Sequence, residues 1–436
     1  MDSLRVLRYA LAEGRLMFRD RQALEHHAKR LSTRQLRWVA AHSPFTAQRF
    51  RQAGLPPSEW RHLPPTGKTE MMTHFDALNT EGVRLEDVLR VARRAEDSRN
   101  FTPTVTGRSG ALTVGLSTGT SGMQGAFLVG REDRLRWAGV VLRHLLPDWP
   151  GGLWRPHRVA FLLRAEGGLY RSVQGRRLHF HFLDLLRPLD QLVAELSALN
   201  PTILVGPPSV LLALLQAGAT ARPQRVVSVA EVLDDEDAHA LTVGFGPVVQ
   251  VYQATEGLLA LPCPHGELHL NEAHLHFDLE PLPDGLMRPV VTDLRRRAQP
   301  IIRHRLDDLL LLGDACSCGL AARRVLRVVG RQDDALELPS QDRSGRVVVW
   351  PDFLRGALAR ITGLHDYRLD QCGPHELRLQ LSPLTAETEA LAVQAVQVAL
   401  RLHGVDVAAV QFECGPLVAE APGVKRRRVR RTWRAA

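Results

Sequence analysis

An α/β chain, with a large domain over residues 1–330 and a small α+β lid over 331–436, is what the order of apolar segments predicts. Between 157 and 252, short apolar runs alternate with amphipathic ones. Strands are expected at Val159–Leu163, Thr202–Val205, Arg225–Val229 and Val248–Tyr252, and helices at Asp190–Leu199, Pro208–Ala217 and Asp234–Val243. That alternation predicts parallel βαβ units, whose ligands sit beyond the carboxyl ends of the strands. Beyond 330 the order changes. A strand at Arg346–Trp350, a helix at Pro351–Ile361, strands at His365–Gln371 and Glu376–Leu381, a helix at Thr385–His403 and a strand at Val405–Cys414 make a βαββαβ unit. With 436 residues, 44% hydrophobic and 24% charged, the chain has the length and composition of a soluble protein with more than one domain.

Residues 1–60 interleave charges with Leu, Ala, Trp and Phe and predict a helical cap. Gly67-Lys68-Thr69 has the end of a P-loop, but His62 stands where the motif needs its first glycine. Pro64, Pro65 and Thr66 instead predict a helix start. Glu132–Leu146 reads as an amphipathic helix. No apolar run is long enough to span a membrane, and the charged N-terminus is not a secretory signal. Five cysteines do not make a disulfide framework, so a reducing cytoplasm is the expected compartment. The net charge is +9, and Lys425–Arg434 alone carries seven positive charges and no acid. Basicity gathered at one end speaks against a nucleic-acid partner. The tail itself is expected to be available to RNA, anionic lipid or a phosphorylated ligand.

Ser117, Thr118, Gly119, Thr120, Ser121 and Gly122 lie between the apolar runs Ala111–Leu116 and Ala126–Val129. Strand, small-residue loop and returning strand predict a hairpin whose tip carries many donors and little bulk. Backbone N–H groups and small hydroxyls can wrap a phosphate there. A plain polar turn is the alternative. The six residues resemble, position by position, the phosphate loop of the adenylate-forming (ANL) superfamily of acyl- and aryl-CoA ligases. The likeness runs from about Lys68 to Val429 and is greatest to the branch holding phenylacetate–CoA ligases and the synthetases that adenylylate a deazaflavin coenzyme. Gln124 and Gly125 stand where that family often has a lysine.

The resemblance implies roles for later segments. In VVQVYQATEG, Tyr252 packs on adenine, Thr255 contacts phosphate and Glu256 holds Mg2+, a hard cation that takes oxygen ligands. Gln253 replaces the usual glycine. Glu231, in SVAEV, is implied near the adenine and acyl pocket, or is a helix-start acid. In PIIRHRLDD, Asp308 is implied to accept the ribose hydroxyls, with Asp307 its rival. Arg331 and Asp333, in GRQDD, are implied at the interdomain hinge, Asp333 as pivot and Arg331 toward ribose or phosphate. Aligning Arg428-Val429 with the family's tail puts Lys425 on the lysine that enters the site for adenylation.

Cys263, His269, Cys316 and Cys318 form a second constellation, in CPHGELH and CSC. Thiolate and imidazole suit a four-coordinate structural Zn2+, although these spacings are not the commonest ones. His265 is a competing ligand, and unpaired buried thiols are the alternative. A similar arrangement occurs among proteins resembling phenylacetate–CoA ligase.

The expected function is therefore ATP-dependent activation of a small carboxylic acid as an acyl-adenylate. Transfer to a thiol, of CoA or of an acyl carrier protein's phosphopantetheine, follows. Transfer of AMP to a hydroxyl, and a non-catalytic basic binding protein, are the alternatives; assembly as a homodimer stays open.

Overall fold

The computed structural model describes residues 2–116, 125–163, 177–185, 187–331, 334–342, 345–358, 361–418 and 427–433. The chain divides into two compact units. The first is Met1–Leu306 with Leu310–Val328; the second is Asp307–Leu309 with Val329–Ala436.

The first unit opens with the expected helices, Asp2–Glu13, Arg21–His42 and Pro44–Ala53. Asp20 caps the second helix, its carboxylate accepting from the Gln22 and Ala23 N–H groups. Gly54 ends the third in the left-handed region. Lys68 begins a helix, Lys68–Thr73, with Gly67 at its cap. No helix among the described residues is long and apolar enough to cross a membrane.

Among the described residues, five parallel strands form the α/β part. Their order is Leu178–Asp184, His157–Leu163, Ile203–Gly206, Arg225–Ser228 and Val248–Gln250. All four residues of Ile203–Gly206 are buried, which is why it reads as an unbroken apolar run. The edge strand Leu178–Asp184 is absent from the sequence reading, because LHFHFLD alternates half-buried and exposed positions. The strand expected at Val248–Tyr252 is split. It leaves the parallel sheet after Gln250, Val251 donates to the Ser228 carbonyl, and Tyr252–Ala254 enters a second sheet. That sheet has eight strands among the described residues. Its pairs Tyr252–Ala254 with Gly257–Pro262, Gly257–Pro262 with Leu268–Leu270, and Leu275–Pro281 with Leu286–Asp293 are antiparallel. Tight turns join these strands instead of helices, so an alternation of strand and helix does not reveal them.

In the second unit the strands Gln411–Pro416, Glu376–Ser382, Asp366–Gln371 and Val429–Arg431 form a sheet in that order. Helix Ala386–Leu402 covers it, starting in a capping box between Thr385 and Thr388. Leu369, Leu379, Val396 and Leu400 meet in its core. The single strand expected at Val405–Cys414 is instead a turn, Val407–Ala409, and a later strand, because the Asp406 side chain accepts from the Ala408 N–H.

The basic tail corrects an expectation. Val429–Arg431 is a strand, parallel to Asp366–Gln371. Arg427 pairs with Asp334, Arg428 with Asp366 at 3.5 Å, Arg430 with Asp370 at 2.5 Å, and Arg431 with Glu337. These four guanidiniums are paired with acids of the same unit; Lys425, Arg426 and Arg434 lie outside the described residues.

Candidate functional site

The predicted hairpin is present up to its tip. Gly110–Leu116 and Ala126–Val129 are antiparallel, and Leu116 faces Ala126. Ser117, Thr118, Gly119, Thr120, Ser121 and Gly122 lie outside the described residues. Gly115 faces Phe127, and a Cβ there would meet the ring at 2.3 Å, so only glycine lets the aromatic lie across the strand.

One buried guanidinium ties this hairpin to the Tyr252–Glu256 segment. Arg296 Nη1 donates to the Thr255 carbonyl at 2.6 Å, and its Nη2 donates to the Leu128 carbonyl at 3.0 Å. Gln299 completes the clamp. Its Oε1 accepts from Arg296 Nη2 at 2.9 Å and from the Leu128 N–H at 2.9 Å, while its Nε2 donates to the Ala126 carbonyl at 3.3 Å. Burial pulls the Arg296 pKa down, and the carboxylates of Asp293, Asp133 and Glu256 oppose it. A buried cation persists only with such compensation. The arrangement therefore fixes positive charge beside the foot of the Gly/Ser/Thr loop.

Glu256 is 8% exposed, and its Oε1 lies 3.5 Å from His304 Nε2. Tyr252 is buried in the same core as Leu112, Leu128 and Ala260. Gln253, which stands where a glycine was expected, accepts from the Trp137 indole at 3.1 Å. Glu231 follows the end of Arg225–Ser228, and its Oε2 accepts from the Ser209 N–H at 3.2 Å. Glu231 and Tyr252 thus both follow carboxyl ends of the parallel strands.

Asp308 is half-buried at the start of the strand Asp308–Leu312, whereas its rival Asp307 is exposed. Arg331 ends the strand Arg324–Arg331. Asp333 and Lys425 lie outside the described residues. Arg296, Gln299 and His304 are absent from the sequence reading. Three consecutive arginines look like a solvated charge run, and only Pro300 hints that the segment is held in place.

The second constellation assembles as predicted. One ligand atom from each of Cys263, His269, Cys316 and Cys318 lies within 4.8 Å of all the others. Cys263 follows the strand Gly257–Pro262, and His269 sits on the next one, Leu268–Leu270. Cys316 and Cys318 come from a turn some fifty residues on, closed by the Gly319 N–H on the Cys316 carbonyl, with Gly319 at φ 74°. Backbone N–H groups of His265 and Cys318 point at the Cys263 and Cys316 sulfurs at 3.3 and 3.4 Å. The His269 Nδ1 meets the Ala322 carbonyl at 2.8 Å, which leaves Nε2 3.5 Å from Cys318 Sγ. Second-shell bonds of this kind orient metal-binding imidazoles. His265, the competing ligand, engages Ser317 Oγ at 3.0 Å instead. Burial pushes the Cys263 thiol up to about 12, while the Cys318 N–H and His269 pull Cys316 down to about 6. All the cysteines are free of disulfides. Three sulfurs and one imidazole at this separation fit tetrahedral Zn2+, whose bonds run about 2.0–2.3 Å.

The fold is like that of solved acyl-CoA ligases. A 2-hydroxyisobutyryl-CoA ligase, solved in its postadenylation state with 2-HIB-AMP, superposes with a TM-score of 0.66 and 18% identity, over 93% of this chain and 88% of its own. Its open conformation with 2-HIB-AMP and CoA gives 0.56 at 17% identity, over 93% and 90%. The amide bond synthetase McbA from Marinactinospora thermotolerans gives 0.50 at 12% identity, over 72% and 68%. No protein-family model and no curated protein matches the sequence.

Proposed function

We propose that this chain is an ATP-dependent acid–thiol ligase. A carboxylate attacks the α-phosphate of ATP and expels pyrophosphate; a thiol then displaces AMP from the acyl-adenylate and leaves a thioester. The observation that carries the reading is the Arg296 clamp, which brings the foot of the Ser117–Gly122 loop and the Thr255–Glu256 segment to one buried guanidinium. A loop of small donors beside a fixed positive charge suits a triphosphate, and a largely buried carboxylate next to it suits the accompanying Mg2+.

On this reading Glu256 holds Mg2+, Thr255 contacts phosphate, Tyr252 and Glu231 border the adenine and acyl pocket, and Asp308 accepts the ribose hydroxyls. Arg331 reaches toward ribose or phosphate. Lys425 enters for the first half-reaction and withdraws for the second, with Asp333 as the pivot. Placing positive groups where charge develops on the transferred phosphoryl is the main lever such catalysis has. Mg2+, when bound, offsets that charge. Cys263, His269, Cys316 and Cys318 hold a structural Zn2+, with no open position for substrate. The acid is a small carboxylic acid, with aryl acids of the kind phenylacetate represents first in line, and the acceptor is CoA or a carrier protein's phosphopantetheine.

Acid-dependent exchange of pyrophosphate into ATP tests the reading, screened over aromatic, hydroxyaromatic and fatty acids. Exchange with at least one class is expected. Absence of exchange with every acid, by protein that binds ATP, counts against it.

A further inference from the structure

The turn Leu294–Gln299 has a second side. On one side Arg296 holds Thr255; on the other the turn meets the helix Arg21–His42, where Gln35 Nε2 donates to the Arg296 carbonyl at 2.6 Å. Arg30, Arg34 and Arg37 recur four and three residues apart, so they share one exposed face of that helix. With Trp38 they line an open groove of about 620 Å3. From the turn, the Arg297 guanidinium lies over Trp38, 4.5 Å from the ring centroid.

Four guanidiniums thus gather here: three from the helix, and Arg297 from the turn. Among the described residues none of the four has a carboxylate within ion-pair distance. Arg295 Nε is buried without any hydrogen-bond partner. Burial, with Arg136 and Arg30 nearby, pulls the Arg295 pKa down to about 10, although Glu13 and Asp293 favour its charge. Positive charges gathered with no carboxylate in contact favour a bound anion.

We propose that this groove is an anion site, separate from the adenylation site, that takes a small polyphosphorylated ligand between the helix arginines and Arg297 of the turn. Guanidinium forks match phosphate oxygens two at a time, which a compact ammonium does not, and every cation of the groove is an arginine. The volume suits a small molecule. A ligand held there braces the turn whose opposite side carries Arg296.

The probe is inorganic tripolyphosphate, followed on the full chain by the fluorescence change that Trp38→Phe removes. A saturable change is expected, weakened at least tenfold in Arg34→Glu/Arg37→Glu and altered less than twofold in Glu256→Gln. The last arm separates the groove from the adenylation reading. Both helix residues are exposed, so a melting curve checks that the double variant folds; if it does not, affinity of the wild type that fails to weaken between 50 and 200 mM salt, a range expected to cost at least about tenfold for several phosphate contacts, overturns the site. CoA binding more tightly than dephospho-CoA identifies the coenzyme's extra phosphate as the source, and equal binding identifies a free polyphosphate. No Trp38-dependent change, equal binding by the double variant, or an acidic protein that binds where tripolyphosphate does not overturns the proposal.

Discussion

One strand, Gly257–Pro262, separates two sites of opposite chemistry. At its start Glu256 offers a buried carboxylate near Arg296 and His304; at its end Cys263 offers a thiol to a cluster with His269, Cys316 and Cys318. The oxygen end suits a hard cation that comes and goes with a nucleotide, whereas the sulfur end suits a soft, resident one. Their surroundings differ accordingly. The cysteine end is closed by backbone N–H groups of His265 and Cys318 on sulfur. The glutamate end lies beside the Arg296 guanidinium, which also holds the Leu128 carbonyl of the hairpin. The difference teaches that, on the proposed reading, one end serves turnover and the other stability, so the two functions are expected to separate by mutation.

Glu256→Gln gives the largest expected effect. It removes the charge that holds Mg2+ and lowers acid-dependent pyrophosphate exchange by on the order of 100- to 1000-fold, the scale seen when one transition-state contact is lost. Its melting temperature stays within roughly 2 °C of wild type, less than about 1 kcal/mol in a domain of this size. Equal losses of activity and stability break the comparison.

Lys425→Ala sharpens the turnover side. It abolishes adenylation yet retains thioester formation from supplied acyl-adenylate, read by mass spectrometry of the product. Equal loss of both half-reactions removes the lysine from its proposed role.

Cys318→Ser, or chelation of the wild type, gives the reverse pattern. A melting temperature lower by roughly 5–10 °C is expected, from about 2–4 °C per kcal/mol, with exchange per folded molecule within about twofold. Metal analysis of the purified protein accompanies it: about one zinc per chain in wild type and a sub-stoichiometric amount in the variant.

The smallest effect concerns Glu13, whose carboxylate meets His274 Nε2 at 2.8 Å and His144 Nε2 at 3.5 Å close to the sulfur end. Burial alone raises its pKa, but the two histidines outweigh burial and hold it below its ordinary value of 4.5. A depressed folded pKa means stabilisation that is full above the ordinary value and is lost as pH falls below it. Denaturant midpoints at pH 5 and pH 3 therefore drop more for wild type than for Glu13→Gln.

The two ends also differ in how far the sequence discloses them. The parallel strands are legible because burial on both faces leaves unbroken apolar runs such as Ile203–Gly206. The cysteines and His269 are legible because few residue types bind soft metals, and their identities survive a fifty-residue gap in the chain. Arg296 is hidden, since Arg295, Arg296 and Arg297 read as one solvated run although the middle one is buried and Arg297 lies over Trp38. The tail misleads in the opposite sense: its arginines look free, yet Arg427, Arg428, Arg430 and Arg431 each find an acid supplied by a distant segment. Charge is visible in a sequence, but its partner is a property of the fold.

A crystal structure with ATP and Mg2+ bears most directly on the whole reading. The account predicts the triphosphate against Ser117–Gly122 and a Glu256 oxygen about 2.0–2.1 Å from the magnesium ion. Nucleotide bound elsewhere, or Glu256 beyond the reach of the metal, contradicts it.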